Sequence, residues 1–145
     1  MSDGDALSTW TSSDAWILAA TPNTKRGSTL SRVIGSADAL NHDIPSRDAL
    51  ARGLGALIAA GLVEEVHGLY RTTPEGRAMR KHWTGGMFNW GSLLPHLQEL
   101  DRPNVEISLT ETEYDDAYGE YRERVRPEVE GVPLWRRLWR RIHRG

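Results

Sequence analysis

Five histidines, His42, His67, His82, His96 and His143, are the first candidates for chemistry in this chain. Zinc hydrolases place two histidines one helical turn apart around a glutamate, and no H-E-x-x-H or comparable spacing occurs. Asp38 and His42 stand at i and i+4 and could meet on one helix face. A helix-terminal histidine beside the C-terminal dipole and a carboxylate accounts for that pair. Glu64-Glu65 and Asp115-Asp116 are adjacent, so their carboxylates point apart on a strand or fan out on a helix. Gly53 and Gly55 in ARGLGALIAAG imitate a dinucleotide loop, but no strand precedes them and the third glycine is misplaced. No P-loop and no Ser-His-Asp context is visible. The absence of cysteine removes disulfides, thiol catalysis and Cys-type zinc sites. The expectation is a protein that is not an enzyme, with no catalytic residues, no metal and no cofactor.

The elements that carry the remaining side chains are mostly helical. SSDAWILAA predicts a first helix with Ser12 or Ser13 as N-cap and Asp14 in the first turn, ending near Pro22. A second helix is expected from about Thr29 to Asn41, where Leu30, Val33, Ile34 and Ala37 form one apolar stripe. Pro45 disfavours helical geometry at Ile44. Ser46 then caps a third helix with Leu50, Leu54, Leu57 and Ile58 on its core face. Gly61 sits where a helix ends in positive φ, followed by Leu62 packing back. LVEEV and LYRT flank His67-Gly68 as two short strands of a hairpin. Thr73-Pro74 restarts a helix, threonine capping and proline at its first position.

Beyond the Gly85-Gly86 break, Trp90, Leu93, Leu94, Leu97 and Leu100 have helical spacing, with Pro95 kinking that helix or beginning it. Val105, Ile107 and Leu109 alternate, as in a strand on the edge of the hairpin sheet. Thr110 and Glu113 form a capping box, with Leu109 and Tyr114 as a hydrophobic staple. The helix they open carries Tyr114, Ala117, Tyr118, Tyr121 and Val125 on one side and acids on the other.

Three helices, a hairpin and a further helix, with the stretch LIAAGLVEEVHGLYRTTPEGRAM, resemble the winged-helix domains of bacterial MarR and PadR regulators. In that family a helix ends in a Gly-Leu-Val step, enters a wing and leaves through a Thr-Pro-Glu-Gly turn. The resemblance covers about residues 14–82. The fold class expected is mostly α with a small antiparallel β-hairpin, a winged helix-turn-helix domain plus C-terminal helices. The divisions are residues 1–83 as the winged-helix domain, 84–131 as a C-terminal helical extension and 132–145 as a basic amphipathic helix. The resemblance implies a DNA-binding transcriptional regulator of bacterial type, dimeric through its C-terminal helices.

Such a protein lays its third helix in the major groove and touches the flanking backbone with its wing. On a wheel of 100° per residue, the side of that helix opposite Leu50, Leu54 and Leu57 holds Asp48, Arg52, Gly55, Ala56 and Ala59. Only Arg52 reads bases well, and Asp48 repels phosphate. The wing carries Glu64 and Glu65, the wrong sign for a phosphate contact. Other candidate cations are Lys25, Arg26, Arg32, Arg47 and Arg71, although scattered cations decorate any soluble surface. Gly55, Ala56 and Ala59 permit close backbone approach, suited to packing against another helix of this chain or of a partner. DNA binding is therefore the leading expectation, and a protein–protein interaction module without DNA binding is the alternative.

The chain ends in VPLWRRLWRRIHRG. As a helix begun by Pro133, it gathers Trp135, Leu138, Trp139 and Ile142 with Leu134 on an arc of about 140°. Arg136, Arg137, Arg140, Arg141 and Arg144 take the other side. A helix this short needs something to pack on. The occupants weighed are the chain's own surface, where the arginines face the acidic helix 111–123, a second copy, a protein partner's groove, a membrane surface and nucleic acid.

Composition frames these alternatives. The chain has 145 residues, 39% hydrophobic and 26% charged, enough for one domain with an extension and a real core. Its formal charge of −2 is not that of a strongly basic nucleic-acid binder. No apolar run is long enough to span a bilayer and no secretory signal opens the chain, so the expected compartment is cytoplasmic.

Overall fold

The structure is a computed structural model that describes residues 8–125. It is mostly α-helical with one small antiparallel hairpin. The elements are α1 (Ser12–Ala20), α2 (Leu30–Asn41), α3 (Arg47–Ala59), β1 (Val63–Val66), β2 (Leu69–Thr72), α4 (Pro74–Arg80), α5 (Leu94–Leu97) and α6 (Glu111–Val125). A 3-10 turn at Trp90–Leu93 leads into α5. Helix, helix, helix, hairpin and helix in this order are compatible with a winged-helix fold.

α1 is buried from Asp14 to Ala20, the mark of a central helix apolar on every side. It packs against α2, α3, α4, α5 and the 3-10 turn. Its cap is Thr11 rather than Ser12 or Ser13. Thr11 accepts from the Asp14 amide, and Asp14 reaches back to the Thr11 amide at 2.9 Å, a complete capping box. Three adjacent hydroxyl residues offer the same cap chemistry, and this reciprocal bond to Asp14 selects the first. α2 buries Val33, Ile34 and Ala37, with Leu30 at the margin of the core. Trp16 crosses to it, its indole N–H donating to the Ala37 carbonyl at 2.8 Å.

α3 is capped by Ser46 and buries Leu50, Leu54 and Leu57 completely. Its exit is a Schellman motif: the Leu62 amide bonds the Leu57 carbonyl at 2.9 Å, and the Gly61 amide bonds Ile58 at 3.0 Å. Gly61 takes φ 78° there. The hairpin turns on His67 (φ 54°) and Gly68 (φ 79°), with Val66 opposite Leu69. Two positive φ values in a two-residue turn give the twist that keeps both strands paired. Thr73 caps α4, with Pro74 in its first turn.

Residues after the double glycine depart from the expected regular elements. Trp90 to Leu100 is not one helix: the 3-10 turn and the single turn of α5 share the segment, and Leu100 is exposed. Leu93 and Leu97 still enter the core completely. Nor is VEISL a strand at the sheet edge. Residues 103–110 are extended without strand pairing, and Ile107 and Leu109 pack onto the helical core. Val105, the first of the three alternating residues, is exposed, so only Ile107 and Leu109 mark the side that faces the helices. α6 starts from the Thr110–Glu113 capping box and lies against α2, burying Ala117 and Tyr121.

Candidate functional site

The outer side of α3 is where a groove-reading protein would work, and part of it is occupied by this chain. Residues 103–109 form a strap running antiparallel along Arg47, Ala51 and Gly55. Arg47 Nη1 donates to the Leu109 carbonyl at 2.9 Å, and the Ile107 amide donates to the Ala51 carbonyl at 3.0 Å. At Gly55 a Cβ would lie 2.2 Å from the Val105 carbonyl oxygen. The register is dimensional: two extended residues span about 6.6 Å, close to the roughly 6 Å of four helical residues. Every second strap residue thus meets the next turn of α3.

Arg102 fixes the start of the strap. Its guanidinium makes a bidentate pair with Asp14, Nε to Oδ2 at 2.8 Å and Nη2 to Oδ1 at 3.0 Å. Both side chains are 4% exposed. Arg102 also reaches Ser8 Oγ and the Arg52 carbonyl. This pair holds the N-terminus of α1, the middle of α3 and the strap together. Nothing local in the sequence marks it, because the partners lie 88 residues apart.

The small-residue face thus has an occupant, an extended segment of the same chain rather than a helix. Gly55 and Ala56 are buried, leaving Asp48, Arg52 and Ala59 exposed. The six candidate DNA-contacting cations do not converge. Arg47 is committed to the Leu109 carbonyl and pairs with Asp48. Arg52 is exposed on α3, and Arg32 is exposed in the first turn of α2. Lys25, Arg26 and Arg71 do share one edge. The α1–α2 loop runs beside β2 through reciprocal Ser28–Tyr70 bonds of 2.7 and 2.8 Å, and Arg71 donates to the Lys25 carbonyl. Arg71 is also paired with Glu64, which offsets its charge. The tail candidates Trp135, Leu138, Trp139, Ile142, Arg136, Arg137, Arg140 and Arg141 lie outside the described residues.

Asp38 and His42 do not meet through their side chains. Tyr121 donates its hydroxyl to Asp38 Oδ2, and the His42 ring lies against Phe88 with centroids 5.6 Å apart. Burial pushes the Tyr121 phenol well above its ordinary pKa, and the Asp38 hydrogen bond and charge push it further. Among the described residues no three His, Asp or Glu side chains gather as a metal site. No helix among them is long and apolar enough to cross a membrane.

A second surface lies between α4 and the α1–α2 loop. Asn23 of the α1–α2 loop and Pro74, Arg77, Ala78, Arg80 and Lys81 of the α4 region line an open cleft of about 390 Å3. Arg80 donates to the Thr21 carbonyl, and its guanidinium carbon stands 5.6 Å from the Trp83 ring centroid. Partial burial lowers its pKa from the ordinary arginine value. Arg77 donates to the Thr72 carbonyl at 3.3 Å. Cations at i, i+3 and i+4 on a proline-started helix were the available signal.

Met87 and Phe88, beside Gly85-Gly86, stand out from the surface with 56% and 59% exposure, the largest values among the exposed large apolar side chains of the described residues. No family model, curated protein or solved structure matches this chain.

Proposed function

We propose that this chain is a cytoplasmic, non-enzymatic winged-helix protein of the MarR and PadR kind that serves as a protein-interaction module. In this reading α3 does not enter a DNA groove. The contact of the Val105 backbone with Gly55 carries the proposal. A groove-reading helix turns its outer face to the base edges, and here the strap takes the flank of that face. What stays open is Asp48, Arg52 and Ala59. One of these bonds a base edge well and one repels phosphate. The wing presents Glu65 to solvent, again the wrong sign for a backbone contact. Met87 and Phe88 supply adjacent exposed apolar surface of the kind that protein partners cover.

A DNA-binding transcriptional regulator is the second reading. Lys25, Arg26 and Arg71 along the hairpin edge favour it, since they could touch phosphate without α3 reading any base. Selection of the full chain against a pool of random duplexes at low salt separates the two. The expected result is no enriched sequence, with any retention weakening steeply as salt rises. An enriched site whose binding is abolished by Arg52→Ala overturns the proposal.

A further inference from the structure

The cleft between α4 and the α1–α2 loop concentrates positive charge that enters no ion pair among the described residues. The ion pairs among the described residues join Arg47 to Asp48, Arg71 to Glu64, Arg102 to Asp14 and Arg124 to Glu120. Arg77, Arg80 and Lys81 belong to none of them. On a wheel of 100° per residue, these three share one side of α4 and its C-cap with Pro74 and Ala78, while Glu75 falls outside that arc. The C-terminal end of α4 attracts cations, but its partial charge is only about −0.5. Set against three full positive charges, that leaves roughly +2.5 beside one cleft.

The two arginines are also held in place. Arg80 is tied to the Thr21 carbonyl and braced by Trp83, and Arg77 is tied to the Thr72 carbonyl. Each spends one N–H on the backbone and keeps the rest of its fork for a ligand. Lys81 is exposed, and Asn23 of the α1–α2 loop lines the same cleft. The volume lies within the range of small-ligand sites, about 300–1,000 Å3.

We propose that Asn23, Arg77, Arg80 and Lys81 form a binding site for a phosphate group. A phosphomonoester carries about −1.5 to −2 at neutral pH and three acceptor oxygens, which matches this charge and the two guanidinium forks. The phosphate belongs either to a small phosphorylated molecule or to a nucleic-acid backbone, and the chemistry of the site is common to both.

The test titrates the full chain, isotope-labelled for NMR, with inorganic pyrophosphate and separately with a mixed-sequence DNA duplex. Potassium chloride at matched ionic strength is the control. The expected result is saturable shifts centred on Asn23, Arg77, Arg80, Lys81 and the Trp83 indole, absent with chloride. Arg77→Gln combined with Lys81→Gln, both at exposed positions, should weaken pyrophosphate binding about tenfold or more while costing no more stability than the single Arg77–Thr72 hydrogen bond it removes. If DNA shifts the same residues and pyrophosphate displaces it, the source is backbone phosphate. If only pyrophosphate binds there, the source is a small molecule. Shifts equal to those with chloride, shifts spread over all surface cations, or unchanged affinity in the double variant would overturn the proposal.

Discussion

Replacing Gly55 with alanine puts a methyl group on α3 where the backbone of the strap already lies. The new Cβ would stand 2.2 Å from the Val105 oxygen, 2.6 Å from the Glu106 Cα and 2.7 Å from the Val105 carbonyl carbon. Ordinary contact begins near 3.4 Å, so the strap must retreat by roughly 1 Å. In an unobstructed helix interior the same change gains about 1 kcal/mol. Here it meets an overpacking cost of about 1–3 kcal/mol. Relief by movement sacrifices the Ile107–Ala51 hydrogen bond, about 1 kcal/mol, and part of the burial of Ile107 and Leu109, each worth about 1.5–3 kcal/mol when complete. The net expectation is a loss of about 1–3 kcal/mol. Gly119→Ala on α6 is the internal control, since a Cβ there meets nothing within 4 Å. It should gain about 1 kcal/mol. Urea denaturation reads the opposite signs, and hydrogen exchange at the Ile107 amide should quicken in Gly55→Ala alone. If Gly55→Ala stabilises the chain as Gly119→Ala does, with Ile107 still protected, the strap does not seat on α3 and that face is open.

Two further outcomes follow from the buried polar groups. Arg102→Met leaves the Asp14 carboxylate buried without its cation and should cost about 3–5 kcal/mol. Combining it with Asp14→Ser should recover part of that loss, measured by the same denaturation. Tyr121→Phe removes a hydrogen bond to a charged acceptor and should cost about 1.5–3 kcal/mol at neutral pH. The folded phenol titrates above its ordinary 10.0, so its contribution is complete below that pH and disappears as pH rises through the raised value. The wild-type denaturation midpoint should therefore fall more steeply in strong alkali than that of Tyr121→Phe, and equal slopes would contradict the assignment.

Local signals served well wherever the physics is local. Ser46, Thr73 and Gly61 act within one turn of their own positions, and His67-Gly68 needs only its own two φ values. The stripe of Val33, Ile34 and Ala37 reports a buried helix face in the same way. Where the partner is distant, the pattern reveals burial without revealing what covers it. Of the alternating Val105, Ile107 and Leu109 only the last two turn to the core, and the same period serves a strand in a sheet and a strap on a helix. Asp14 reads as an ordinary first-turn acid until Arg102 arrives from the far end of the described chain. The α4 cleft depended on a loop residue, Asn23, meeting cations more than 50 positions later. No local period records such an encounter. The proposed interaction surface at Met87 and Phe88 was equally silent, since exposure at a glycine-rich loop leaves no repeating signature.

The Asp14–Arg102 pair also has a consequence for synthesis. A ribosome adds about 5–20 residues per second, so the 88 positions between the partners take roughly 4–18 s to make. Throughout that interval the residues of α1 are made but the guanidinium that pairs with Asp14 is not. The first helix among the described residues therefore acquires its ion pair only after residue 102 has been made. Any pause in translation before residue 102 would prolong the time Asp14 spends without its partner.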